Sequence, residues 1–208
     1  MSNVKKFEDW LNEQCKYIIE NYGSYSFGCA MVYFDLPAME TMHSQITKED
    51  IYTSEEEGNS YGLESEPHVT LLYGIHDKVV EDDRVLEACM KFHIGDIILH
   101  NVSLFENENY DVLKFDVRYP IKGGVFLHNI NNELTKLPNT NNYKDYNPHC
   151  TIAYLQPGSG KKYVKLFNDL EFEVKPKQIV YSKSDGQKII KKNSIIINAY
   201  TEFTKIIR

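Results

Sequence analysis

Two segments of this 208-residue chain carry the same pattern of reactive and apolar residues. They are Pro67-His68-Val69-Thr70-Leu71-Leu72-Tyr73 and Pro148-His149-Cys150-Thr151-Ile152-Ala153-Tyr154. Both read P-H-φ-T-φ-x-Y, where φ is apolar. A single His-x-Thr triplet is common in strands, and its histidine is usually a satisfied polar residue. Two copies with the same preceding Pro and the same closing Tyr point to paired use. Two imidazoles facing one another suit phosphodiester cleavage: one, neutral, takes a proton from the attacking oxygen, and the other, protonated, gives one to the leaving oxygen. Histidine does both because it titrates near neutrality. Threonine hydroxyls can donate to the non-bridging oxygens as charge builds in the transition state. The motif lacks the carboxylates that usually hold Mg²⁺ and the third ligand that zinc needs, so no metal and no cofactor is expected.

Those side chains need strands to present them. In a regular strand, side chains alternate between faces. His68 and Thr70 then share one face, with Val69, Leu71 and Tyr73 on the other. His149 and Thr151 oppose Cys150, Ile152 and Tyr154 in the same way. The apolar faces are expected to pack on helices, Tyr73 and Tyr154 included, leaving the His/Thr faces to a shared cleft. Around the motifs, the periodicity predicts helices near 4–22, 38–46, 80–93, 123–137 and 161–170. Strands are expected at 26–36, 68–73, 96–105, 111–119, 149–155, 172–183 and 188–204. Glu106-Asn107-Glu108-Asn109 and Ser184-Asp185-Gly186 read as hairpin turns, and 55–60 as a solvated loop. Mixed helices and strands with several hairpins favour an α+β fold with antiparallel sheet. His43, His76, His93, His100 and His128 have no motif context and are read as surface or core-edge residues.

Composition bounds the partners. The formal charge is −7 at pH 7, and an acidic surface argues against coating duplex DNA. A small anionic ligand remains compatible, because a pocket can be locally positive on an acidic protein. Only Arg84, Arg118 and Arg208 are arginines, so phosphate contacts would fall to lysine, threonine and backbone N–H groups. Cys15, Cys29, Cys89 and Cys150 lie outside metal-clip spacing and give no disulfide framework. With no apolar run near the roughly 20 residues of a membrane helix and no secretory h-region, a cytoplasmic location is expected. Oligomeric state is not indicated.

The paired motif resembles the 2H phosphoesterase superfamily, named for two H-x-[ST] motifs, and His68/Thr70 and His149/Thr151 match both halves. The resemblance runs from Phe27 onward. Residues 1–24 read as an N-terminal helical extension, and 25–208 as the phosphoesterase-like domain. It implies a bilobal α+β fold, with two antiparallel sheets flanking a central cleft and helices outside. Within the superfamily, Phe27-Gly28-Cys29-Ala30-Met31-Val32-Tyr33-Phe34-Asp35-Leu36-Pro37, Glu66 to Gly74 and Asn147 to Tyr154 are similar to phage anti-CBASS proteins. Those are metal-independent phosphodiesterases that degrade the cyclic di- and trinucleotide signals of bacterial immunity. The resemblance implies cleavage of 3′-5′ bonds in cyclic oligonucleotides in the host cytoplasm, with His68, Thr70, His149 and Thr151 catalytic. Tyr33 on the first strand and Lys183 beside the last hairpin are candidate substrate contacts. The alternatives are RNA 2′,3′-cyclic phosphate ends, 2′-5′ oligoadenylate, and a non-catalytic nucleotide-binding sponge.

Overall fold

The computed structural model describes residues 26–53, 61–119, 126–141 and 145–192. The expected helix at 4–22, the extension 1–24, the loop at 55–60 and the last strand beyond 192 lie outside those residues. Alternating and continuous apolar runs form the strands: β1 is Phe27–Phe34, β2 His68–His76, β3 Ile97–Glu106, β4 Asp111–Arg118, β5 His149–Leu155, β6 Phe172–Val174, β7 Pro176–Ser182 and β8 Lys188–Lys192. The α-helices are α1 (Ala38–His43), α2 (Asp82–Met90), α3 (Phe126–Leu134) and α4 (Gly160–Phe167).

The strands form two antiparallel four-stranded sheets, ordered β2-β1-β7-β8 and β5-β4-β3-β6. Each motif strand is an edge strand, β2 paired with β1 and β5 with β4. The two edges, β2 and β5, lie against one another. Helices α2 and α3 cover one face of the first sheet, and α4 packs on β3 and β4. One core joins these layers: Ala30, Val32 and Phe34 of β1, Val69 and Leu71 of β2, Leu113 and Phe115 of β4 and Ile152 of β5 are all buried in it. The open ends of both motif strands are closed by loop segments. Ile75 bridges to Asn139, and Leu63 and Ile51 bridge to Ala153 and Leu155. Covering an edge in this way removes a pairing template.

One expected strand divides. Residues 172–183 read as continuous, but β6 pairs with β3 in the second sheet and β7 pairs with β1 in the first. Lys175 carries the chain across. Pro176 follows it, and a proline has no N–H to continue the first ladder. The crossing ties the two sheets together in a way that alternation alone does not show.

The N-terminal end of α4 is fixed from β4. The Asp111 carboxylate, 2% exposed, accepts the backbone N–H groups of Gly158 at 2.9 Å and Gly160 at 3.1 Å. A carboxylate suits that end of a helix. Gly160 packs closely there: a Cβ would come within 2.6 Å of the Leu104 side chain, which would have to shift.

Candidate active site

The two motif histidines are held alike. His68 Nδ1 lies 2.7 Å from the Glu66 carbonyl oxygen, and His149 Nδ1 lies 2.9 Å from the Asn147 carbonyl oxygen. A carbonyl can only accept, so in each neutral ring Nδ1 carries the proton. Nε2 of both rings is thereby left with its lone pair, the state a base needs, or gains a proton to become an acid. An aromatic ring flanks each imidazole: Tyr33 stacks on His68 with centroids 5.2 Å apart, and Phe105 meets His149 edge-on at 4.9 Å. Where the strands meet, the His68 backbone is hydrogen-bonded to the Cys150 thiol. His68 is also close enough for its charge to bear on His149.

Neither motif strand is regular, and the irregularity repeats. In the β1–β2 ladder, Met31 pairs with Thr70 and Ala30 with Leu72, so Leu71 is an extra residue. In the β4–β5 ladder, Lys114 pairs with Thr151 and Leu113 with Ala153, so Ile152 is the extra residue. Each is a β-bulge at the same place in its motif. A bulge shifts alternation by one residue. The expectation that Tyr73 and Tyr154 pack in the lobes is therefore overturned. Tyr73 pairs with Cys29, on the Tyr33 side of β1, and is 57% exposed. Tyr154 pairs with Val112, on the Lys114 side of β4. Both tyrosines come round to the His/Thr face.

A helix side chain satisfies the carbonyl of each bulge. Asn131 Nδ2 of α3, itself buried, donates to the Leu71 carbonyl at 2.7 Å. His43 Nε2 of α1 donates to the Ile152 carbonyl at 2.9 Å, which also accepts the Glu64 backbone N–H at 3.0 Å. Thr70 is further fixed at its carbonyl by the Tyr146 hydroxyl, 2.8 Å away, and its own hydroxyl is hydrogen-bonded to Cys29.

The second sheet adds a charged network that sequence reading missed. Asp116 pairs with His149 and Lys114 with Thr151. Lys114 is buried, with Nζ 2.5 Å from Asp116, 2.8 Å from Ser103 Oγ and 4.4 Å from the Phe105 ring centroid. Asp116 also accepts from Asn101 Nδ2 and from Ser103 Oγ at 2.9 Å. Burial would raise the Asp116 carboxyl, but hydrogen bonds from Lys114, Asn101 and Ser103 outweigh it and hold it below its usual range. His149 is lowered from its ordinary value by burial first. The Asn147 carbonyl and Asp116 oppose that shift, and the charges of Lys114 and His68 add to it. A signal existed for this network: Lys114 and Asp116 alternate with Leu113, Phe115 and Val117 along β4.

The flanking candidates separate. Tyr33 is at the site, stacked on His68. Lys183 is placed elsewhere: its Nζ is 3.2 Å from Asp82 at the start of α2, on the helix-covered side. The hairpin lysine on the open face is Lys188, whose Nζ is 2.8 Å from Glu66 and 6.0 Å from the Tyr33 ring centroid. Lys188 thus reaches from β8 across β7 and β1 to the segment that leads into β2. Cys89 and Cys150 offer no thiolate, as burial pushes both up to about 12. Among the described residues, no group of three or more His, Cys, Asp and Glu side chains is placed to hold a metal ion. None of the described helices is long and apolar enough to cross a membrane.

This arrangement of sheets is found in a known protein. The chain has the fold of Kluyveromyces marxianus Usb1. The two superpose with a TM-score of 0.51 at 10% identity, over 80% of this chain and 97% of that one. Escherichia coli LigT complexed with phosphate also matches, with a TM-score of 0.40 at 10% identity over 81% of this chain and 95% of that one. No family model matches the sequence, and no curated protein matches it. At these identities the likeness is one of fold alone, and the chemistry rests on the side chains themselves.

Proposed function

We propose that the protein is a metal-independent 2H-type phosphodiesterase that cleaves 3′-5′ bonds in cyclic di- and trinucleotides. One observation carries the reading: His68 and His149 each donate Nδ1–H to the carbonyl two residues earlier and so present Nε2 from abutting strands. Burial lowers His149 and so favours its neutral form, which suits it to the role of base. Its Nε2 removes the proton of a ribose 2′-hydroxyl as that oxygen attacks phosphorus. The bond from phosphorus to the 5′ oxygen breaks, and His68 Nε2 gives its proton to that oxygen. The products are a 2′,3′-cyclic phosphate and a free 5′-hydroxyl. Thr70 and Thr151 donate to the non-bridging oxygens, where developing charge makes a placed donor most effective. Lys114, beside Thr151, supplies positive charge in a chain with few arginines.

The motif's setting resembles phage anti-CBASS proteins, which supports a cytoplasmic role in removing cyclic nucleotide immune signals. The test is a panel of cyclic dinucleotides, cyclic trinucleotides, 2′-5′ oligoadenylate and RNA ending in 2′,3′-cyclic phosphate, each with excess EDTA. Cleavage of the cyclic substrates in EDTA is expected. Cleavage of linear RNA ends alone would reassign the substrate. Tight binding without turnover would make the protein a sponge, and activity lost in EDTA and restored by Mg²⁺ would overturn the mechanism.

A further inference from the structure

The twin bulges do more than shape the motif: they turn one tyrosine of each lobe onto the catalytic face. Tyr73 stands two ladder positions beyond Thr70 along β1, at Cys29 rather than Met31. Tyr154 stands two ladder positions beyond Thr151 along β4, at Val112 rather than Lys114. Two positions of an antiparallel strand span ~7 Å, so each ring lies about that far past its threonine, away from its histidine. The two rings differ in setting. Tyr73 is 57% exposed, with Phe27 beside it at 6.1 Å between centroids. Tyr154 is half-buried and meets Tyr61 at 5.2 Å and Tyr110 at 5.6 Å.

Resting on the phosphodiesterase reading above, we infer that Tyr73 stacks against one nucleobase of the substrate and the Tyr154 cluster against the base on the other side of the scissile phosphate. A phosphate held between Thr70 and Thr151 has one nucleoside on each side. The fold offers one aromatic surface on each side, at equivalent positions. Stacking on a tyrosine face tolerates any base, because every base has a π-face. The site then reads a two-nucleotide unit by its phosphate and its two rings, and base identity matters little at the Tyr73 side. An exposed tyrosine alone would mean nothing. Its counterpart, placed by the same bulge in the other motif, is what makes it part of the site.

The experiment measures binding, so it does not need turnover. The full chain is titrated calorimetrically with the deoxydinucleotide d(ApA), which lacks the 2′-hydroxyl, and with 2-deoxyribose 5-phosphate, which lacks a base. Tyr73→Ala is expected to weaken d(ApA) binding about 5- to 150-fold, the range of one stacked base. Tyr73→Phe should leave it within about twofold, because the ring and not the hydroxyl binds. Neither variant should change binding of the base-free phosphate. Tyr154→Leu, which fills space without an aromatic face, should likewise weaken d(ApA) alone. The inference is overturned if wild-type protein does not bind d(ApA), if Tyr73→Ala binds it normally, or if Tyr73→Ala loses the base-free phosphate equally. Turnover of a ribonucleotide with no effect of Tyr73→Ala would sink the stacking and spare the phosphodiesterase. Tyr73-dependent binding with no turnover of any ribonucleotide would do the reverse.

Discussion

Replacing Asn131 with Ala removes the side-chain N–H that the Leu71 carbonyl accepts at 2.7 Å, in a buried setting. An orphaned buried acceptor costs about 1–3 kcal/mol. Alanine is the better helix former in α3 by up to about 0.7 kcal/mol, so a net loss of about 1–2 kcal/mol is expected. With a urea m-value of about 2 kcal/mol/M, the midpoint should fall by roughly 0.5–1 M at unchanged slope. The second bulge provides an internal control. His43→Ala removes the donor to the Ile152 carbonyl, but that carbonyl keeps the Glu64 N–H at 3.0 Å and His43 is only half-buried. Its cost should stay under about 1 kcal/mol. Urea titrations of the two variants, followed by far-UV circular dichroism, decide it. A midpoint for His43→Ala as low as that for Asn131→Ala would refute the claim that the side-chain clamp matters in proportion to what else satisfies each bulge.

Three further outcomes follow from the same geometry. His68→Ala and His149→Ala should each lower kcat/KM on order 10²–10⁴-fold, and Thr70→Ala and Thr151→Ala about 10–10³-fold, all in folded protein by thermal melt; the double histidine variant should lose much less than the product of the singles, because the pair acts as a unit. The acid limb of the kcat/KM–pH profile, read from initial rates, should lie below the ordinary histidine range, since burial lowers His149; Lys114→Met should move it up and Asp116→Asn down, and shifts in the opposite sense would refute the electrostatic assignment. Asp77 is held below its usual range although burial opposes it, by hydrogen bonds from Ser184 and Ser26 and by the Lys183 charge; its contribution is present above the unfolded carboxylate value and lost as pH falls through the lower folded one, so Asp77→Asn should narrow the urea-midpoint difference between pH 7 and pH 3.

Much of this was legible because apolar spacing dictates it. β5 begins at His149 and ends at Leu155 as its residues imply, and the hairpin of β3 and β4 falls where Glu106 to Asn109 interrupts two apolar runs. The His/Thr pairs could be read because each lies before its bulge, where simple alternation still holds. Lys183 lies beside Asp82 and away from Tyr33 for a reason of parity: it follows Ser182, which faces the open side in register with Cys29 and Lys188, so its own side chain turns toward α2. Lys188, across the turn and paired with Ser182, is the hairpin lysine on the Tyr33 side. His43 and Asn131 left no signal at all, since a donor to a bulge carbonyl is defined only by the tertiary contact.

The bulges explain both what was read and what was missed. A segment P-H-φ-T-φ-x-Y in strict alternation would send its Tyr to the face opposite its His. Among Leu71, Leu72 and Tyr73, however, two consecutive residues are buried and the third is not. The same break appears at Ile152 and Ala153, both buried, ahead of the half-exposed Tyr154. Two adjacent apolar residues followed by an aromatic, in both copies, is therefore the trace that a one-residue insertion leaves in the sequence. It is weak in one copy, because a run of apolar residues also fits a strand buried on both faces. It gains force from repetition: a doubly buried strand has no reason to break its run at the same tyrosine twice. Equal bulges in both lobes also keep the lobes equivalent about the scissile phosphate. A bulge in one alone would offset its tyrosine relative to the other and leave a single aromatic surface beside the histidines.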